Sequence, residues 1–100
     1  MKHYLYILEC SNNSFYIGYT IDIKRRYAEH CEGTAKCKYT RSFPPKRIAA
    51  CWSLEAEKGE VLSIELKLKQ LTKSQKQNLI NNRHLLSDYT ECFYHDETNF

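Results

Sequence analysis

Glycine and proline are scarce in this chain of 100 residues, at three and two respectively. Three glycines can hardly build a glycine-rich phosphate loop or a dinucleotide fingerprint, and neither pattern occurs. Long apolar runs are missing near the N-terminus, where the stretch Tyr4 to Leu8 stops at Glu9. A signal peptide or a membrane span needs a longer uninterrupted stretch, so neither is expected. The five cysteines (Cys10, Cys31, Cys37, Cys51, Cys92) are odd in number and form no Cys-x2-Cys pair. The expectation is therefore a reducing, cytoplasmic setting, without a disulfide framework or structural zinc. No Ser-His-Asp order, internal repeat or low-complexity segment is found.

Basic residues are absent from the end of the chain. All 15 Lys/Arg and eight of the 12 acids lie in residues 1–83, a net charge of +7, while residues 84–100 carry Asp88, Glu91, Asp96 and Glu97, a net −4. A basic body with an acidic tail points to a polyanionic partner, with the tail as spacer, solubiliser or competitor. A solvated surface with a floppy end is the plainer alternative. At 42% hydrophobic and 27% charged, the composition is that of one globular domain. The expected boundaries are a domain over residues 1–82 and an acidic tail over 83–100.

Residues 3–10 are rich in aromatic and β-branched types and read as a strand, as do residues 15–20. The Ser11-Asn12-Asn13-Ser14 cluster between them predicts a hairpin turn. Asp22 suits the N-cap of a helix running to about Glu32, and Gly33 suits its end. A loop without periodicity follows to Pro45, then a third strand from Lys46 to Leu54. Val61, Ile64, Leu68 and Leu71 make one stripe of a helix from about Glu57 to Gln70. Thr72-Lys73-Ser74-Gln75 is a capping-box pattern opening a last short helix to about Asn82. The fold class is α/β: a small three-stranded antiparallel sheet flanked by helices, in the order β-β-α-β-α-α.

Glu65 stands inside or beside that apolar stripe, where a bare carboxylate costs several kcal/mol unless paired, protonated or metal-bound. An edge glutamate paired with Lys69 at i+4 is the plain alternative. Arg26 and His30 are four apart and share a helix face; a guanidinium grips phosphate and an imidazole moves protons near neutral pH. Tyr4, Tyr6, Tyr16 and Tyr19 crowd the hairpin, with Tyr27 and Tyr39 beyond. Interleaved with Lys24, Arg25, Lys36, Lys38 and Arg41, they suit a nucleic-acid surface of phosphate-binding cations and stacking rings. A tyrosine-rich sheet face whose hydroxyls reach water is the alternative.

Tyr16-Ile17-Gly18 is one half of a known signature, and the chain resembles the GIY-YIG nuclease domain, in particular its short stand-alone bacterial-type members. Tyr4-Leu5-Tyr6 stands where the first half would be and keeps only its tyrosine. The steps from Tyr6 to Tyr16 and from Gly18 to Arg26 match the family spacing, and His30 matches a histidine of several branches. Glu65 falls where the family's metal-binding glutamate sits; Lys38-Tyr39-Thr40-Arg41 and Lys69-Gln70-Leu71-Thr72 look like secondary features. Tyr19 stands where repair-type members have lysine, and Asn78, Asn81 and Asn82 are all candidates for the family's asparagine. The resemblance covers roughly residues 1–82.

It implies a metal-dependent endonuclease acting on DNA foremost. The implied catalytic residues are Tyr6 as base for water, Tyr16, Arg26, His30 and Glu65, with Glu65 holding one Mg²⁺ or Mn²⁺. Gly18 would allow close backbone approach; with Tyr19, Lys24, Arg25, Lys36, Lys38, Tyr39 and Arg41 it makes the implied nucleic-acid surface. The alternatives are a catalytically weak nucleic-acid-binding module and a nuclease that needs a partner protein. A chain this small is expected to nick or cut single strands unless it forms a homodimer. The site makes one geometric demand: Tyr6 and Tyr16 share a face only if paired positions of the hairpin sum to an even number. A three-residue loop Ser11-Asn12-Asn13 with Asn13 left-handed provides that, and a two-residue turn does not.

Overall fold

The computed structural model describes residues 2–34 and 37–97. Its elements are β1 (His3–Cys10), β2 (Phe15–Thr20), α1 (Ile23–Glu32), α2 (Lys38–Ser42), β3 (Pro45–Glu55), α3 (Lys58–Lys69), α4 (Lys73–Asn81), a 3-10 helix (Arg83–Asp88) and β4 (Phe93–Asp96). None of the described helices is long and apolar enough to cross a membrane.

The hairpin has the register the site demands. Tyr6 pairs with Gly18 and Leu8 with Tyr16, Cys10 and Ser14 close a three-residue loop, and Asn13 is left-handed at φ 64. Asparagine tolerates that conformation better than most side chains. Helix α1 is bounded as expected: the Asp22 carboxylate accepts from Arg25 N at 3.1 Å, and Gly33 ends the helix at φ 68. The capping box is formed, with Thr72 and Gln75 exchanging side-chain and backbone hydrogen bonds.

The sheet corrects the sequence reading. It has four antiparallel strands in the order β2-β1-β3-β4, not three. The fourth comes from the segment read as an acidic tail. There Leu86 is fully buried, and Arg83 binds Asp96 at 3.0 Å and the Ala49 carbonyl at 3.1 Å. Trp52 Nε1 donates to the Arg83 carbonyl at 3.1 Å, and Ser53 Oγ to Glu97 at 2.7 Å. A four-residue strand with acids at its end carries too little pattern to stand out; its pairing depends on β3. The stretch read as a loop also holds helix α2, which buries Thr40.

Strand alternation divides the core in two. Leu5, Ile7, Ile17, Trp52 and Leu54 face Val61, Ile64 and Leu68 of α3, together with Leu79 and Leu86. On the other face Tyr6, Leu8, Cys10 and Cys51 pack with Ile23 and Tyr27 of α1. The central position of β1 explains its almost unbroken burial; each large side chain so covered contributes about 1.5–3 kcal/mol. β2 is left as an edge beside α3.

Candidate active site

The α1 face of the hairpin gathers Tyr6, Tyr16, Arg26 and His30 around a chain of hydrogen bonds. The Tyr6 hydroxyl lies 2.8 Å from His30 Nε2, and His30 Nδ1 lies 2.7 Å from Thr40 Oγ1. Thr40 in turn donates to the Cys37 carbonyl at 3.3 Å. With its proton committed there, Thr40 Oγ1 accepts from His30 Nδ1–H. This leaves Nε2 as the ring's acceptor and Tyr6 as the donor to it. Thr40 has a signal in the sequence only as part of Lys38-Tyr39-Thr40-Arg41; its role needed the fold.

Burial sets the electrostatics. His30 is fully buried, and burial, with the Arg26 cation nearby, lowers its pKa to about 4. Burial pushes the Tyr6 phenol well above its ordinary value, with the Arg26 guanidinium opposing. Tyr16 is also raised, by burial first, with the neighbouring Glu65 adding to the rise and Arg26 opposing it. Arg26 keeps a partner of its own, Glu29 at 3.2 Å.

The neutral histidine has a consequence for stability. In the unfolded chain His30 titrates near 6.5 and binds a proton that the folded site refuses until about pH 4. Stability from this group is therefore full above about pH 6.5 and is lost as pH falls through 4, by up to about 3 kcal/mol. Urea midpoints measured between pH 7 and 4 should fall steeply for the native protein. His30→Gln should flatten that slope; an unchanged slope would place the acid sensitivity elsewhere.

Tyr16 is held in a stack of rings. Its ring meets His30 edge-on at 5.1 Å and lies nearly parallel to Tyr39 at 5.7 Å. Tyr39 hydrogen-bonds to Ser14 and to Asn12 at 3.1 Å, two loop residues the sequence reading did not assign to the site. Gly18 has a spatial role. A Cβ there would overlap the Tyr6 hydroxyl and Cζ and come within 2.9 Å of Cε2, so the absent side chain is the space into which the Tyr6 ring leans.

Not every expected residue joins this cluster. Tyr19 lies on the opposite sheet face, against the α3-side core, and its hydroxyl bonds to His3 Nδ1 at 2.8 Å. Lys24 and Arg25 are exposed on α1, and Lys38 and Arg41 on α2. Lys36 falls outside the described residues. Glu65 is on α3 beside the β2 edge, 16% exposed, with Lys69 Nζ 3.7 Å from its carboxylate. Among the described residues no three His, Cys, Asp or Glu side chains gather. A single partly exposed carboxylate with one long ion pair nevertheless fits a hard divalent ion, which prefers oxygen and keeps several of its own waters.

An antiparallel sheet between helices, with two tyrosines, an arginine and a buried histidine converging at its hairpin, defines the class. The chain belongs to the GIY-YIG family: the GIY-YIG catalytic domain matches residues 2–78. It is 41% identical over 81 residues to the UPF0213 protein BH0048 of Halalkalibacterium halodurans, covering 81% of this chain and 84% of that one. A UPF0213 protein of Streptococcus pneumoniae is 40% identical over 95 residues, covering 92% and 94%. The solution NMR structure of the UPF0213 protein BH0048 from Bacillus halodurans superposes with a TM-score of 0.52 at 33% identity, covering 93% of this chain and all of that one.

Proposed function

We propose that this protein is a small metal-dependent endonuclease that hydrolyses phosphodiester bonds in nucleic acid, DNA foremost, with water activated by tyrosine. The observation that carries the reading is the Tyr6–His30–Thr40 hydrogen-bond chain with Arg26 at its phenol end. Tyr6 Oη takes a proton from the attacking water as its own proton passes to His30 Nε2; Thr40 holds the ring in the accepting tautomer. Substrate phosphate beside Arg26 offsets that cation's effect on His30 and makes the imidazole a better acceptor. Arg26 also stabilises the developing negative oxygens, and Tyr16 orients water or phosphate. Glu65 would hold one Mg²⁺ or Mn²⁺, which supplies neutralisation of charge on the scissile phosphate and the leaving 3′ oxygen. The exposed cations of α1 and α2 give affinity that falls with salt and carries no sequence code.

One observation favours the second reading, a catalytically weak nucleic-acid-binding module. Tyr6 is only 1% exposed, and burial makes its phenol reluctant to give up the proton it must pass on before it can act as a base. Cleavage of end-labelled single- and double-stranded DNA and of RNA, with Mg²⁺, Mn²⁺ or EDTA, separates the two. The endonuclease reading expects metal-dependent cutting that Tyr6→Phe reduces by about 10²–10⁴-fold, with the fold kept because phenylalanine fills the same space. Binding without cutting under every condition would support the module instead.

A further inference from the structure

We propose that one nucleic-acid strand, on leaving the Tyr16 cluster, runs in a trough along the free edge of β2 and the start of α4, gripped by Lys69, Lys73 and Lys76. This rests on the endonuclease reading and specifies how its substrate is held. A hollow of about 410 Å³ is lined by Phe15, Tyr16 and Tyr39 together with the three lysines. A second, of about 610 Å³, shares Phe15 and Lys73 with the first and continues it past Gln77, Asn78 and Asn81. Among the described residues no carboxylate lines either hollow. A third hollow, about 1250 Å³, is lined instead by Glu55, Glu57, Glu60 and Glu91, with Lys2 and Lys67. Cationic character is thus concentrated in the trough that reaches Tyr16.

The placement of the lysines has no benefit for α4 itself. Lys73 and Lys76 sit at its N-terminal end, where the first turn holds no acid. Cations there oppose the positive end of the helix dipole, so local stability would favour Asp or Glu. A breach of a local rule without local compensation is expected where an anion is to be bound. The trough wall pairs this charge with rings: Lys73 Nζ lies 6.0 Å from the centre of the half-buried Phe15 ring, and Tyr39 is 38% exposed. Cation beside aromatic face is the complement of phosphate beside base. Side-chain amides on the continuing wall add donors and acceptors that a lone small anion would not need. These features fit a polymer in which phosphate and base alternate.

The test uses the full chain, fluorescein-labelled oligothymidylate and EDTA, with affinity measured across a sodium chloride series. Each phosphate contact on a single strand contributes about 0.7 to the slope of log affinity against log salt. Lys73→Gln with Lys76→Gln should lower that slope by about 1.4 and the affinity at 0.1 M salt by about twentyfold. Lys58→Gln with Lys67→Gln, outside the trough, should change neither. Phe15→Leu, which keeps an apolar side chain, should weaken binding about fivefold or more with the slope unchanged. An unchanged slope in the Lys73/Lys76 variant, beside a reduced one in Lys24→Gln with Arg25→Gln, would overturn the trough and leave the endonuclease reading standing. No binding by the native chain at any salt, together with no cleavage, would overturn both.

Discussion

Glu65→Ala should lower metal-dependent cleavage by about a thousandfold or more and leave folding almost untouched. The charge neutralisation a metal ion supplies to a phosphoryl transition state is worth several kcal/mol, and about 4 kcal/mol corresponds to that factor. Stability is expected to change little because the structural tie is weak. Among the described residues Glu65 forms one ion pair, with Lys69 at 3.7 Å, and that lysine is half exposed, a type of pair worth about 0–1 kcal/mol. Cleavage rate with Mg²⁺ or Mn²⁺ and the thermal midpoint, measured on the same preparation, check both halves. The variant should still bind oligonucleotide in EDTA, where native and altered chains alike lack the ion. Full cleavage by Glu65→Ala would reduce Glu65 to a partner of Lys69 and remove the proposed metal ligand.

Gly18→Ala should damage both stability and activity, through Tyr6. The methyl group would enter space already held by the Tyr6 phenol, and that ring is almost wholly buried and fixed by His30 at 2.8 Å. Overpacking at such a site costs about 1–3 kcal/mol; each kcal/mol is about 4–8 °C of melting temperature in a domain of this size. If the ring yields instead, its hydroxyl leaves His30 and cleavage falls as it does in Tyr6→Phe. Pairing the change with Tyr6→Leu, which shortens the side chain facing the new methyl, should recover part of the lost stability and none of the activity. A Gly18→Ala protein with native melting temperature and native cleavage would show that Tyr6 does not need the space over residue 18.

Several parts of this arrangement are local in origin and so were legible in the chain. The Asn-rich turn, Asp22, Gly33 and the Thr72–Gln75 box act on backbone within a few residues, and each appears where its chemistry places it. The even-sum register follows from turn length alone, and it brings Tyr6 and Tyr16 to one face. The same period of two separates Tyr19 from Tyr16. Grouping tyrosines by their number in the hairpin conceals this alternation, and the His3–Tyr19 bond on the far face makes it plain. Arg26 and His30 share a helix face by the period of 3.6, and Glu65 stands out because a carboxylate interrupts an apolar stripe.

The sequence by itself determined the hairpin, the boundaries of the main helices and which candidate residues share a strand or helix face, because these depend on neighbours one to four positions away. Tertiary structure decided what depends on distant partners. Thr40 becomes the anchor of His30 only when α2 folds against α1, and the acidic end becomes a strand only when β3 offers it an edge. Gly18 becomes the seat of a phenol only when β1 and β2 pair in register. Lys73 and Lys76 join Tyr16 only when α4 comes to rest beside β2. Hydrogen bonds and steric contacts act over a few ångströms, and closeness between residues far apart in the chain exists only once it has folded.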